Sequence, residues 1–351
     1  MKLSWKIFMI VGLALVLLGP SIWAQEFGLS RAELAGAIAV QERHTDALMA
    51  DPDVVGTGVG VGANGQPVIK VFVKSARNSG LQGTLDGIPV ITQVTGEIIA
   101  LKGAPGGGGP PGGGGNDEVD PTARFRPAPI GVSTGHPLIT AGTSGARVTD
   151  GAYVYALSNN HVYANQNDAT LEDPVLQPGT FDGGSIGDDV IGTLSAFVLL
   201  QFDGPDNMVD AAIAQVASGD LSIATPSDGY GTPKSETVDA KVGMRVMKYG
   251  RTTSQTKGRV DAINVTVNVN YGAPNGVARF VKQIFITPGG FSAGGDSGAL
   301  IVTEVKKENG GNPVGLLFAG SVFGTIANPI DVVLEGLAVE LGVPLLSIDG
   351  Q

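Results

Sequence analysis

The apolar residues of this chain begin as one unbroken run and then settle into short alternating stretches. Ile7 to Leu18 is continuous and apolar, with Lys2 and Lys6 before it and Pro20-Ser21-Ile22-Trp23-Ala24 behind it. Charge, apolar run and small residue in that order read as an export signal over residues 1–24, cleaved after Ala24. The run falls short of the about 20 apolar residues that a membrane-spanning helix needs. With no second span in view, no membrane partner is expected once the signal is removed. Ser30 and Glu33 then have the spacing of a capping box, and Leu34, Ile38, Thr45 and Leu48 mark one face of a helix running to about Met49. Asp51-Pro52-Asp53 stops it. Val54 to Gly62 and Pro67 to Lys74 alternate around Ala63-Asn64-Gly65, a turn suited to positive φ. Ile88 to Val94 and Glu97 to Lys102 add two strands, so residues 25–102 read as a small α+β domain.

Gly103 to Gly115 holds only Gly, Pro and one Ala. Such a stretch cannot bury apolar surface, and residues 103–126 read as a flexible Gly/Pro linker. From residue 127 to 351 the pattern changes to short β-type runs. These are Gly145–Val148, Tyr153–Leu157, Asp189–Leu200, Met208–Val216, Met244–Tyr249, Arg259–Val269, Phe280–Thr287, Ala299–Val302 and Val314–Ala319. Gly, Asn and Asp turns separate them, a spacing that predicts closed or sandwiched antiparallel sheets. Asp331 to Leu341 reads as a terminal helix.

Composition narrows the chemistry. The formal net charge is −11 with no basic cluster, which excludes a nucleic-acid partner and favours a soluble exported protein, periplasmic or extracellular. The absence of cysteine removes disulfides, thiol nucleophiles and thiolate metal sites together. The three histidines, His44, His136 and His161, have no metal-binding spacing, so neither a metal nor another cofactor is expected. His44 is placed on the polar side of the first helix, and His136, before Pro-Leu-Ile, is read as structural.

One constellation remains. His161 follows Ala156-Leu157-Ser158-Asn159-Asn160, Asp210 enters the apolar run Ala211-Ala212-Ile213-Ala214, and Ser297 lies in Gly294-Gly295-Asp296-Ser297-Gly298. A serine nucleophile, an imidazole base and an orienting carboxylate are what acyl transfer requires. Each motif alone also fits an ordinary turn or strand cap. Gly183-Gly184-Ser185-Ile186-Gly187 has the form of a nucleophile elbow, but no histidine follows His161 to serve it. Gly60-Val61-Gly62-Ala63-Asn64-Gly65 has the form of a dinucleotide loop, yet a strand follows it instead of a helix.

Taken together, and in the order His, Asp, Ser, the three motifs resemble those of bacterial trypsin-like serine peptidases over about residues 130–345. The resemblance implies a mainly β, chymotrypsin-like double antiparallel β-barrel behind the small α+β domain. It implies a serine endopeptidase acting on peptide or protein, with His161, Asp210 and Ser297 catalytic and the N–H groups of Gly295 and Ser297 as oxyanion hole. It places Phe291 at the base of the substrate pocket and Ala319 on its wall. Phe291 offers no carboxylate, so cleavage after small or medium apolar residues is expected. Asn159-Asn160 is similar to the quality-control proteases of the HtrA type, whose C-terminal peptide-binding module is not found here. Lys248-Tyr249-Gly250-Arg251-Thr252-Thr253 resembles a hairpin of the second barrel. In animal zymogens of this kind a freed N-terminal ammonium pairs with the aspartate before the serine. A cut before Ile130 would supply one to Asp296, while an uncut chain would need internal donors. The rival reading is a catalytically silent binding module on the same scaffold. The role of residues 25–102, as folding aid, inhibitor or partner binder, and the oligomeric state are not legible.

Overall fold

The computed structural model describes residues 29–76, 83–101, 119–305 and 311–351. The expected signal, and the expected linker as far as residue 118, lie outside them. Among the described residues the chain is mainly β, as expected, and no helix is long and apolar enough to cross a membrane.

The first β body is a six-stranded antiparallel sheet. Its order is Pro174–Leu176, Val190–Phe197, Ala212–Val216, Val154–Ser158, Ala146–Thr149 and Ser347–Ile348. Alternation works on two buried faces. Ala156, Ala212 and Ala214 point into a core with Ile130, Val162, Tyr163, Val175 and Leu194. Tyr155, Leu157 and Ile213 point the other way, against Met247, Tyr249, Leu300 and Leu316 of the second body and Val333 and Leu337 of the terminal helix Ile330–Leu341. Burial on both faces explains why these strands read as near-continuous apolar runs.

The second body closes on itself. Arg245–Gly250, Leu300–Thr303, Pro313–Ser321, Gly324–Pro329, Val277–Thr287 and Ser254–Asn270 pair in that order, and Arg245–Gly250 pairs back onto Ser254–Asn270. Val246, Val260, Ile286, Phe291, Ile301 and Leu317 fill it. Ser254–Asn270 is 17 residues long and outruns the barrel. Its far half carries Val54–Val61, pairing Thr57 with Thr266, and Pro67–Val73 and Ile88–Val94 extend the sheet from there.

The N-terminal segment thus contains the expected helix, Ala35–Met49, and strands. The capping box forms one turn ahead of that helix, with the Ser30 N–H donating to Glu33 at 2.8 Å. Val40, Val54, Ile69, Val71 and Val73 make a small cluster of their own. Leu34, Ala37 and Ile38, however, join the core of the second barrel. Ile99–Ala100 leaves the segment altogether and pairs antiparallel with Pro313–Ser321.

Candidate active site

Two neighbouring strands bring His161 to Asp210. Ala212 pairs with Ser158, so residues just before 212 and just after 158 emerge side by side at one sheet edge. The strand expected from Met208 starts only at Ala212, because Asp210 leaves the ladder and donates its N–H to the Asn328 side chain at 2.9 Å. His161 is in a single helical turn, Asn160–Tyr163, and not on the strand itself. The two asparagines before it are clamps: Asn159 donates to the Asp210 carbonyl at 2.7 Å, and Asn160 to the Val198 carbonyl at 2.8 Å.

His161 Nδ1 lies 2.6 Å from Asp210 Oδ2, and the His161 N–H donates to Oδ1 at 3.2 Å. An ionised carboxylate only accepts, which assigns the proton to Nδ1 and leaves Nε2 with its lone pair. Nε2 is buried and has no partner among the described residues. The Tyr271 hydroxyl donates to the same Oδ2 at 2.6 Å, and its ring meets the His161 ring edge-on at 5.9 Å. Burial first, and the Asp210 charge second, push the Tyr271 phenol well above its ordinary range, so it stays a donor.

Ser297 lies in the loop that leads into the strand Leu300–Thr303 of the second barrel. The Thr143 N–H donates to the Ser297 carbonyl at 2.7 Å, and the Thr143 hydroxyl donates to the Gly295 carbonyl at 2.9 Å, which ties the serine loop to the short strand Gly142–Thr143. The Ser297 hydroxyl is turned to the Phe318 carbonyl at 3.1 Å and is not bonded to His161. Gly295 has φ of 98°, and a Cβ there would meet Thr252 Oγ1 at 2.5 Å, so only glycine turns this peptide. Its N–H is already in use, donating to the Leu101 carbonyl at 2.8 Å.

Asp296 points inward and is held entirely by internal donors. Thr252 N–H reaches Oδ1 at 2.8 Å, while Thr253 Oγ1, Ala293 N–H and Lys248 Nζ reach Oδ2 at 2.6, 3.0 and 3.2 Å. Lys248 and Asp296 are both fully buried, and Lys248 also donates to Thr253 Oγ1. Burial pushes the Lys248 ammonium below its ordinary value, and the Asp296 charge works against that shift. Ile130 is elsewhere: it is fully buried and its N–H donates to the Ala224 carbonyl at 3.1 Å.

Phe291 is fully buried and shares its cluster with the Leu101 side chain; Ala319 pairs with Ala100. A cleft of about 230 Å³ is lined by His161 together with Leu138, Ala141, Val162 and Gln166. Ser185 is a turn residue bonded to Asp189 at 3.0 Å. His44 is half-buried on Asp86 at 3.0 Å, and His136 is buried on Asp173 at 3.2 Å. Sequence reasoning missed Tyr271, Asn328 and Leu101, none of which belongs to a recognisable motif. Lys248 was in view within its hairpin, but the reason for a lysine at that position was not.

Residues 205–340, less than half of the chain, match the model of Peptidase family S64. A glutamic-acid-specific serine protease is 21% identical, with a TM-score of 0.44 over 63% of this chain and 99% of that one. A Nocardiopsis protease is 18% identical, with a TM-score of 0.42 over 62% and 97%. A Cellulomonas bogoriensis chymotrypsin is 15% identical, with a TM-score of 0.40 over 63% and 98%. No curated protein matches the chain. The fold is mainly β, as the motifs implied, and the solved structures it is similar to are chymotrypsin-like serine proteases. The family match supports a serine endopeptidase, whose substrates are peptides or proteins.

Proposed function

We propose that the chain is an exported serine endopeptidase that works through an acyl-enzyme on Ser297. The observation that carries this reading is the buried His161–Asp210 pair at 2.6 Å with Nε2 left without a partner among the described residues. His161 takes the Ser297 proton as the hydroxyl attacks the substrate carbonyl, then gives it to the leaving amine. Asp210 fixes the tautomer and balances the imidazolium that forms. The Gly295 and Ser297 N–H groups stabilise the oxyanion, each such donor being worth roughly 3–4 kcal/mol of barrier in comparable sites. Phe291, without a charge to offer, suits an apolar side chain before the cut bond. Leaving an Arg or Lys unpaired there would cost several kcal/mol. The export signal at residues 1–24 would place the enzyme in the periplasm or outside the cell.

In this reading the hydroxyl on Phe318 is a resting arrangement, and catalysis begins when it turns to His161. A serine-directed fluorophosphonate tests the assignment. It should modify Ser297, spare Ser144 and Ser185, and leave Ser297→Ala unlabelled. Labelling at Ser185, or none in a correctly folded chain, would leave the silent binding module as the better description.

A further inference from the structure

An oxyanion donor is useful only while its N–H points one way, and glycine has no side chain to hold it there. Gly295 has φ of 98°, and the freedom that permits this value would also let the peptides on either side of it turn over. Both peptides are held. A trans peptide is planar, with its carbonyl and its N–H on opposite sides, so a bond to the Gly294 carbonyl fixes where the Gly295 N–H points. Thr252 Oγ1 donates to that carbonyl at 2.7 Å. Thr143 Oγ1 donates to the next carbonyl along, that of Gly295, at 2.9 Å.

A hydroxyl that donates once can still accept, and both threonine hydroxyls accept from the same residue. Arg251 Nη1 donates to Thr252 Oγ1 at 3.1 Å, and the Arg251 N–H donates to Thr143 Oγ1 at 3.0 Å. Each hydroxyl proton is thereby left for its carbonyl. The rest of the guanidinium is anchored in the turn Thr180–Asp182. Nε reaches Asp182 Oδ2 at 2.8 Å, Nη2 reaches Oδ1, and Cζ lies 5.3 Å from the centre of the Phe181 ring. Asp182 also accepts from the Ser133 hydroxyl at 2.5 Å. The two charged side chains are only 3% and 6% exposed, so solvent does not compete for the fork. A guanidinium can grip a carboxylate with two N–H groups and aim a third at a hydroxyl, which an ammonium cannot do in this geometry.

We infer that Arg251 is a positioning residue of the oxyanion hole: through Thr252 and Thr143 it sets the two peptides that flank Gly295, and with them the direction of the Gly295 N–H. The inference rests on the reading of Gly295 as an oxyanion donor given above. The guanidinium acts through the two hydroxyls and needs no contact with the substrate. No proton moves along the relay. Its effect is to keep a donor aimed before negative charge forms on the substrate oxygen, so it acts on the transition state more than on ground-state binding.

Two measurements on the full chain decide this: steady-state kinetics on a peptide anilide with leucine before the cut bond, and binding of the matching peptide boronate. The boronate forms a tetrahedral adduct on Ser297 and puts an oxygen where the oxyanion would be. Thr252→Val removes the hydroxyl at nearly constant shape. It should lower kcat about tenfold or more, short of the about 10²–10³-fold that deleting a donor costs, with KM within about twofold. The boronate should weaken by the same factor as kcat/KM. Thr252→Ser restores the hydroxyl and should recover most of the loss. Arg251→Lys keeps a charge for Asp182 but not the bond to Thr252, and should show the same split between kcat and KM. If Thr252→Val does not fold by circular dichroism, Arg251→Lys carries the test. Parental kcat and boronate affinity in the folded variant, or a loss confined to KM or to thermal stability, overturns the inference and leaves the peptidase reading standing. A folded parent that neither cleaves the anilide nor takes the fluorophosphonate at Ser297 ends the reading of Ser297, and the inference falls with it.

Discussion

Asp210 and Asp296 sit on opposite sides of the site, one beside the histidine and one beside the serine, and both are fully buried. Asp210 is surrounded by neutral donors: the Tyr271 hydroxyl, the His161 ring N–H and the His161 backbone N–H. Asp296 has a buried ammionium partner, Lys248, as well as backbone N–H groups and a threonine hydroxyl. The difference separates two uses of a carboxylate. The Asp296 charge is already balanced, so it serves as a fixed post that shapes the Gly295–Ser297 turn. Asp210 has no Lys or Arg partner among the described residues, and in the proposed reaction it would balance the charge that His161 gains. A buried carboxylate lacking either kind of support would cost several kcal/mol.

Removing the Asp210 charge should give the largest effect. Asp210→Asn keeps shape and volume but removes the acceptor that defines the His161 tautomer. Steady-state kinetics on a peptide substrate should show kcat lower by about 10³–10⁴-fold with the fold intact. A loss of only a few-fold would mean that Asp210 has no more than a packing role.

Removing the cation from the other side should act on stability first. Lys248→Met leaves Asp296 with its backbone donors but no counter-charge. Loss of one partner of a buried pair costs on the order of 3–5 kcal/mol. Denaturant unfolding should show that loss, and adding Asp296→Asn to Lys248→Met should recover part of it. Equal stability of Lys248→Met and the parent would show that the N–H groups of Thr252 and Ala293 suffice by themselves.

Tyr271→Phe separates the two aspartates more finely. It deletes one neutral donor to Asp210 and touches nothing at Asp296. A hydrogen bond to a charged group is worth about 1.5–3 kcal/mol, so chemical denaturation should register a loss in that range. The KM for a peptide should move less than kcat, because the Tyr271 hydroxyl bonds Asp210 and its ring meets the His161 ring. A change confined to KM would place Tyr271 in substrate binding instead.

The two sides of the site also differ in how far they could be read from sequence. The three motifs and the β character of residues 127–351 were legible because alternation and local glycine turns carry them. Phe291 was singled out through its offset from Ser297, and it is fully buried in one cluster with Leu101. Tyr271 was not, since an aromatic at the end of an apolar strand gives no sign of which carboxylate its hydroxyl will meet. Lys248 was read as part of a structural hairpin, because burial of an ammonium depends on a partner 48 residues away, Asp296. The strand Gly324–Pro329 was missed because its glycine and proline ends suggest a loop, yet both barrel neighbours pair with it. Least legible was the destination of residues 98–101. Alternation identifies a strand but does not say which sheet edge will receive it.

The smallest expected effect concerns a carboxylate at the surface of the same barrel, which completes the range from buried pair to exposed one. Glu304 follows the strand Leu300–Thr303 and bridges Arg245, on Arg245–Gly250, to Lys257, on Ser254–Asn270, the latter at 2.8 Å. The Arg245 hydrogen bond, then that of Lys257, holds the Glu304 carboxyl down from its ordinary 4.5 to about 2. A carboxyl whose value is lower in the folded chain stabilises it fully above the unfolded value, and that contribution fades as pH falls from about 4.5 toward about 2. Both cationic side chains are more than half exposed, at 56% and 57%, so solvent and salt screen the bridge and its worth is below about 1 kcal/mol. Glu304→Gln should therefore be slightly less stable than the parent at pH 7, and the difference should shrink as pH is lowered through that window and as salt is raised at neutral pH. A difference that grew on acidification would have the wrong sign for an ion pair and would assign Glu304 a role through packing.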